Sequence, residues 1–168
     1  MASASAPFAG AEAGRRRALE LIWGALSRRA HTVAEMRALL ERRGVEAHSA
    51  TEALDQVASS GYLDDADYAR RFAEDRRRLD HWGRERIARE LSRRGVAGDL
   101  VDRALDQHGA ENELEAACAL LEHRMPTALD DDRARNRALG LLVRRGYEAD
   151  VAYAAVRRHA REYESPPY

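Results

Sequence analysis

The tripeptide Arg-Arg-Gly occurs three times in this chain, and its spacing constrains the fold more than any other feature. Its glycines are Gly44, Gly95 and Gly146, each 51 residues after the one before. A leucine lies two residues before each copy, and a valine or tyrosine follows it. Ala-Leu-Asp-Gln also recurs 51 residues on, from Ala53 and from Ala104. Self-similarity at a fixed period of this length indicates tandem structural repeats, so three copies of one unit are predicted.

Each unit is predicted to form three helices. In the first unit, apolar residues from Ala18 to Leu26 recur at helical spacing. Two capping boxes, at residues 32–35 and 49–52, predict where the second and third helices begin. The glycine of each Arg-Arg-Gly fits the left-handed position that ends the second helix. The other six helices are predicted at residues 65–79, 83–94, 98–108, 111–124, 131–145 and 149–163, with Leu79 facing inward.

This pattern predicts an all-α fold of three tandem three-helix repeats that form an elongated, curved array. No segment alternates apolar and β-branched residues at period two, so no strands are expected. A flexible tail is predicted over residues 1–14 and another over residues 164–168. The three repeats are predicted at residues 15–61, 62–109 and 110–163. Such an array offers an extended concave surface to a binding partner.

The charge is balanced overall but divided along the chain. The formal net charge is -1, from 28 basic and 29 acidic residues, so a simple basic nucleic-acid binder is not indicated. Every one of the 28 basic residues is arginine. Residues 70–94 hold ten arginines against five acids, whereas residues 96–132 hold ten acids against two arginines. Such blocks are either solvated helix faces or partner-binding surfaces, and both interpretations stay open here.

A candidate partner-binding surface lies in the second unit, where arginines fall off the apolar stripes of two predicted helices. Aromatic side chains nearby in sequence can stack on bases or anchor a protein contact. The alternative is a solvated surface with the ion pairs Glu74–Arg78 and Glu85–Arg89. The excess of arginine favours a partner, either acidic protein surface or DNA phosphate. The candidate residues are Tyr68, Arg70, Arg71, Arg77, Arg78, Trp82, Arg86, Arg89 and Arg93.

One arginine of this segment is expected to behave differently. Arg76 lies on the inward stripe with Phe72 and Leu79. An arginine on an apolar stripe either snorkels to solvent or is paired in the interior, so Arg76 is not assigned to the partner-binding surface.

Catalytic and metal-binding motifs are not found in the sequence. The six histidines show no paired metal-ligand spacing, and there is no phosphate-binding glycine loop or nucleophile elbow. Asp64 and Asp65 suit a helix N-terminus better than a metal site. Cys118, the only cysteine, lies on an apolar helical stripe and is predicted to be buried. We therefore expect no enzyme activity, no cofactor and no metal.

The sequence also bears on cellular location. No apolar run approaches the length of a membrane span, so no contact with a membrane is expected. The N-terminal residues lack the basic and apolar regions of a signal peptide. These observations predict a cytoplasmic protein.

A series of motifs in the second unit carries a family resemblance. The motifs are Gly61-Tyr62-Leu63-Asp64-Asp65, Tyr68-Ala69, Phe72, Arg76, Gly83, Arg86-Ile87, Glu90-Leu91 and Arg94-Gly95-Val96. The first unit adds Leu26-Ser27-Arg28-Arg29, Glu35-Met36-Arg37, Leu40 and Arg43-Gly44, and the third adds Leu142 with Arg144-Arg145-Gly146-Tyr147. Together they resemble the RecX family of recombinase regulators, over roughly residues 18–159. Tyr68 stands where the family commonly has Phe, and Met36 where it usually has Leu.

The resemblance implies a regulatory protein that binds RecA, above all RecA assembled as a filament on single-stranded DNA. Members of the family inhibit or modulate the recombinase, ATPase and coprotease activities of RecA, by binding along the filament groove or by blocking its extension. The expected partners are RecA and the RecA–single-stranded DNA filament, with at most weak direct contact to DNA. A monomer is expected.

Two other classes of protein stay open from the residues alone. A helix, a short glycine turn and a second helix also describe a helix-turn-helix, so one alternative is a DNA-binding protein that acts without RecA. Such a protein needs a basic recognition helix, and tight binding to duplex DNA without RecA would favour it. The other alternative is a helical scaffold for a different partner. Failure to recover RecA from cell extract would favour that class.

Overall fold

Residues 6–106 and 110–164 are described by this computed structural model, and they form nine α-helices and no strands. The prediction of an all-α fold is confirmed. The helices are α1 (Ala6–Leu26), α2 (Val33–Arg42), α3 (Ala47–Ser59), α4 (Asp65–Asp80), α5 (Arg84–Arg93), α6 (Gly98–Asp106), α7 (Ala110–Arg124), α8 (Asp132–Arg145) and α9 (Ala149–Glu164). Helices α1–α3, α4–α6 and α7–α9 make the first, second and third unit. The predicted end of the sixth helix, at residue 108, lies outside the described residues.

Each unit has its own apolar core. In the described part of the chain, the extensive helix–helix contacts join helices of the same unit. Leu40, Leu91 and Leu142, the leucines that precede Arg-Arg-Gly, are fully buried at equivalent places in the three cores. Cys118 is buried in the third core, as the apolar stripe predicted. The array is therefore stabilised by three small cores, and the units meet through narrower contacts.

The array is elongated. The accessible surface is 10909 Å², whereas a globular monomer of this mass exposes about 8300 Å². A chain with three separate cores exposes more surface than one with a single core, because faces between units stay accessible. Much of each helix is therefore available for a partner.

Helix ends follow the predicted signals in most places. Thr32 caps α2, since its Oγ1 accepts a hydrogen bond from the Glu35 backbone N–H at 3.1 Å. Asp64 caps α4 through the backbone N–H groups of Ala66 and Asp67, which agrees with a cap and not a metal ligand. Gly146, like Gly44 and Gly95, has a positive φ after the second helix of its unit.

Three local predictions were wrong. The second capping box does not form, because α3 begins three residues earlier than that box requires and is capped by the carboxylate of Glu46. Ser49 is instead buried inside α3. Leu79 is 61% exposed, because it lies about 100° around α4 from the buried line through Ala69 and Ala73. The N-terminal boundary also differs, since α1 already begins at Ala6 and residues 6–14 are helical.

The first and second units meet where the N-terminus of α2 contacts the C-terminus of α5. We call this contact the first joint. Thr32 Oγ1 donates a hydrogen bond to the Arg94 carbonyl at 2.7 Å, and the Val33 N–H donates to Asp65 Oδ1 at 2.9 Å. Gly95 packs so closely on Ala34 that a side chain at Gly95 would overlap the Ala34 methyl group.

The second and third units repeat this arrangement at the second joint, where the N-terminus of α5 contacts the C-terminus of α8. The Gly83 N–H donates to the Arg145 carbonyl at 2.8 Å, and the Glu85 N–H donates to the Gly146 carbonyl at 3.0 Å. The Arg84 N–H donates to Glu113 Oε1 at 2.7 Å. The third unit therefore satisfies the first amides of α5, which a helix cannot satisfy for itself.

Candidate functional site

Five of the predicted partner-binding arginines lie exposed on α4 and α5. They are Arg70, Arg71, Arg78, Arg89 and Arg93, and we call them the arginine face. Their side chains point away from the buried line of Ala69 and Ala73 on α4 and from Ile87 and Leu91 on α5. The structure therefore places these five residues on an accessible surface of the second unit.

Local carboxylates compensate most of the charge on the arginine face. Arg70 and Arg71 each pair with Asp67 at 2.7 Å, and Arg93 pairs with Glu90 at 2.7 Å. The hydrogen bond from Arg93 is the main reason that the pKa of Glu90 lies below its ordinary value. Exposed pairs of this kind contribute little to stability, so a partner can compete for the arginines.

The ion pairs predicted for this surface have different partners. Arg78 pairs with Asp75 at 3.7 Å, and Glu74 pairs with Arg70 at 3.6 Å, so the expected Glu74–Arg78 pair was wrong. The expected Glu85–Arg89 pair was also wrong, since Arg89 forms no ion pair with any described residue. Side chains three apart compete with those four apart on a helix, and the sequence does not fix which pair forms.

The position of Arg77 off the apolar stripe of α4 suggested an accessible surface residue, but Arg77 does not lie there. It is half-buried, and its Nη2 donates to the Leu105 carbonyl of α6, in the same unit, at 3.2 Å. Burial lowers the pKa of Arg77, and Glu113 and Tyr147 lie close to it. The Tyr147 ring is fully buried, and burial raises the pKa of Tyr147 to about 12. Arg77 is therefore part of the packing between the second and third units.

Arg86 and Trp82 also belong to the second joint. The Arg86 guanidinium lies 4.2 Å from the centre of the Trp82 ring, and its Nη1 donates to the Arg144 carbonyl at 3.2 Å. Arg76, on the other side, pairs with Asp80 at 2.5 Å and lies 5.6 Å from the Trp82 ring. Arg76 thus has the paired role that its inward position predicted. Trp82 is half-buried between two cations and is not an open platform for a base.

Tyr68 is engaged at the first joint. Arg94 Nη1 donates to Tyr68 Oη at 3.0 Å, and the Tyr68 ring stacks on Phe72 at 6.1 Å. The same guanidinium pairs with Glu35 and Glu90, each at 3.0 Å. Arg94 therefore ties α2, α4 and α5 together, and Tyr68 supports that contact.

Two exposed features were missed by the sequence reasoning. Trp23 and Tyr62 form an edge-to-face pair at 4.9 Å, with Tyr62 65% exposed. Tyr62 lines a cleft of about 630 Å³ between the first two units, together with Arg29 and Arg71. The second feature is basic, because residues 133–164 hold eight arginines against four acids.

The described part of the chain shows no site for a metal ion, since no three His, Cys, Asp or Glu side chains come together there. Among its helices, none has the length and apolar character needed to cross a membrane. What the described residues offer is charged, extended surface.

The fold and this surface define a class of protein, a tandem array of three-helix repeats with an extended charged surface. A family profile described as "RecX, second three-helix domain" matches residues 64–105, which are the helices of the second unit. The regulatory protein RecX of Deinococcus radiodurans is 36% identical over 149 residues, covering 89% of this chain and 71% of the relative. That of Trichlorobacter lovleyi is 36% identical over 139 residues, covering 80% and 87%.

Solved structures agree on the fold. The crystal structure of RecX from Lactobacillus salivarius superimposes with a TM-score of 0.74 and 19% identity, covering 88% of this chain and 95% of that one. A second crystal structure, of regulatory protein RecX, gives a TM-score of 0.78 and 20% identity, covering 94% and 80%. The chain belongs to the RecX family of regulatory proteins.

Proposed function

We propose that this protein binds RecA filaments on single-stranded DNA and inhibits or modulates their recombinase, ATPase and coprotease activities. The observation that carries the proposal is similarity to RecX regulatory proteins along nearly the whole chain, through all three units. A filament presents the same subunit surface at regular intervals. An elongated array of equivalent units is suited to contacting several such surfaces at once.

The arginine face is the surface that we propose for contact with the filament. Its five side chains are exposed. Four of them pair with a carboxylate of their own helix, and an acidic surface or a phosphate of the partner can take the place of that carboxylate. We propose a supporting role for the other four predicted residues. Arg77, Arg86, Tyr68 and Trp82 hold the joints on either side of this face.

A DNA-binding protein that acts without RecA is the alternative, and the charges of the third helices argue against it. In a helix-turn-helix, the helix after the turn enters the major groove and needs cations. Helix α3 carries Glu52 and Asp55 and no arginine, and α6 carries three aspartates against Arg103. Two of the three equivalent helices would therefore repel DNA phosphates.

Charge reversal on the arginine face tests the proposal. The variant R71E/R78E/R89E should raise the protein concentration needed to half-inhibit DNA-dependent RecA ATPase by at least about tenfold, which is about 1.4 kcal/mol of binding. It avoids Arg77, whose reversal would bury an unpaired charge. The control R15E/R37E/R103E makes the same charge change at exposed positions on α1, α2 and α6.

The outcomes separate the function from the surface. Full inhibition by R71E/R78E/R89E would refute the arginine face while leaving RecA as the partner. A wild-type protein that neither binds RecA nor changes its ATPase rate would refute the function. We further propose that the protein acts in the cytoplasm. We also propose that it is a monomer, and sedimentation of the free protein tests its oligomeric state.

A further inference from the structure

A cavity of about 360 Å³ lies at the second joint, beside the arginine face. Its lining includes Arg77, Arg78 and Trp82 from the second unit. Glu113 and Tyr147 line it from the third unit. A bound water takes up about 30 Å³, so the cavity has room for a small organic group. Because both units contribute to the lining, a ligand in this cavity would contact the two units at once.

Two hydrogen-bond donors in this cavity are buried without a partner among the described residues. They are the hydroxyl group of Tyr147, a residue that is 1% exposed, and Nη1 of Arg77. Burial raises the pKa of Tyr147 to about 12, so at neutral pH the phenol keeps its proton and can donate it. A buried polar group without a partner is unfavourable. A ligand with acceptor oxygens would satisfy both donors.

The Arg77 guanidinium also lacks a negative charge to match its own. It forms no ion pair with a described residue, and its Nη2 donates to a neutral backbone carbonyl. Two carboxylates line the cavity, but each has a partner elsewhere. Glu113 accepts from the Arg84 backbone N–H at 2.7 Å, and Glu74 pairs with Arg70 at 3.6 Å. The cavity therefore suits a ligand with a single negative charge.

The cavity walls favour an organic anion. The Trp82 ring and the Ala116 methyl group contribute apolar surface. A carboxylate has two acceptor oxygens and one charge, whereas a phosphate brings nearly two charges close to Glu113. We propose that the cavity binds a carboxylate on an apolar body, which accepts hydrogen bonds from Arg77 Nη1 and Tyr147 Oη. The carboxylate belongs either to a free organic acid or to an acidic side chain of the filament, and the second source rests on the proposed function.

Benzoate is the probe for this site, and the fluorescence of Trp82 reports its binding. The chain has two tryptophans, so the tryptophan fluorescence of the variant W23F comes from Trp82 alone. Benzoate, titrated at constant ionic strength, should change this fluorescence with half-saturation at millimolar concentration or below. Benzamide has the same shape without the charge, so it should bind at least about tenfold more weakly. Inorganic phosphate should not displace benzoate.

Two substitutions remove the proposed donors one at a time. In the W23F background, Y147F and R77M should each weaken benzoate binding at least about tenfold. The controls Y153F and R37M make the same changes at exposed positions on α9 and α2, and should bind like W23F. Y147F removes a buried hydroxyl without a partner, so the midpoint of urea unfolding should not fall. A hydroxyl with a purely structural role would lower that midpoint when removed.

The outcomes test the site and the source of the carboxylate separately. Absence of benzoate binding, or binding that Y147F leaves unchanged, would overturn the proposal in favour of a cavity that holds water only. Equal binding of benzoate and phosphate would also overturn it, in favour of diffuse attraction by arginine.

RecA inhibition, measured in parallel, identifies the source. Wild-type inhibition by Y147F supports a free organic acid, whereas weaker inhibition by Y147F, with benzoate competing against RecA, supports an acidic side chain of the filament. A wild-type protein that inhibits RecA without binding benzoate refutes the cavity site alone. One that binds benzoate without inhibiting RecA refutes the proposed function alone.

Discussion

Alanine at the three repeat-equivalent glycines should separate the cost of a left-handed backbone from the cost of a tightly packed joint. Gly44, Gly95 and Gly146 have φ angles of +70°, +79° and +86°. An L residue in this conformation costs about 1–2 kcal/mol. At Gly44 the added methyl group meets no described residue within 4 Å, so G44A should lower the free energy of unfolding by that amount alone.

At the joints, the added methyl group also collides with the neighbouring unit. At Gly95 it overlaps the Ala34 side chain, and at Gly146 it overlaps both the side chain and the backbone of Arg86. Overpacking costs about 1–3 kcal/mol. The sum for G95A and G146A is then about 2–5 kcal/mol. G146A should be the more severe, because backbone atoms cannot turn aside.

The joint offers a second way to relieve the collision. Each unit has its own core, so the units can separate without unfolding, and the loss of stability is then limited to the free energy of docking them. Urea unfolding followed by circular dichroism measures the first effect, and the radius of gyration from solution scattering measures the second. We expect G95A and G146A to lose more stability than G44A, to expand, or both.

A compensating change checks the cause. A34G removes the methyl group that Gly95 contacts, so the double variant G95A/A34G should recover at least about 1 kcal/mol relative to the sum of the single changes. Losses of stability for G95A and G146A within about 0.5 kcal/mol of that for G44A, together with wild-type scattering, would refute a tightly packed joint.

Three further predictions concern single residues. T32V removes a cap and a bond across the first joint, so unfolding free energy in urea should fall by about 1–3 kcal/mol, whereas T51V, at an exposed threonine, should change little. Burial raises the pKa of the Cys118 thiol, so iodoacetamide should modify it far more slowly in the native than in the unfolded protein. Burial is the main reason that the pKa of His31 lies below 6.5. The folded state therefore takes up this proton less readily, and stability should fall as pH drops below 6.5, less steeply in H31Q.

The 51-residue repeat predicted most of the fold. A period of 51 residues located the three units, the buried leucines before each tripeptide and the left-handed glycines after them. Capping signals were less reliable, because the preferred cap residue Ser49 lies inside α3, whereas Glu46, a residue type that seldom caps a helix, accepts the first backbone N–H groups. The prediction that Leu79 faces inward was wrong because an apolar residue near a helix end belongs to the core only if another element covers it.

The joints lie beyond what periodicity can show. Each first amide of α2 and α5 is capped by a carboxylate from the next unit, Asp65 for Val33 and Glu113 for Arg84. These carboxylates lie 32 and 29 residues away in the chain. Nothing local in the sequence marks them, because an acid early in a helix also suits its own N-terminus. Arg77 was misplaced on the surface for the same reason, as its neighbours come from α6 and α7.

The end-to-end order of the second helices explains the tripeptide that marks the repeat. The negative C-terminus of α8 faces the positive N-terminus of α5, and α5 faces α2 in the same way, so the helix dipoles attract at both joints. In each complete joint the glycine lets the two helices approach.

The two arginines of the tripeptide have different roles. The second one turns inward and locks the joint, as Arg94 does on Glu35 and Arg145 does on the Asp80 carbonyl. The first arginine, which is Arg93 at the first joint and Arg144 at the second, stays exposed on the surface of the array. The first unit ends the column. There no described residue lies within 4 Å of a methyl group added at Gly44, and Arg43 stays exposed. One tripeptide therefore sets both the geometry of the array and the spacing of the charges that it presents.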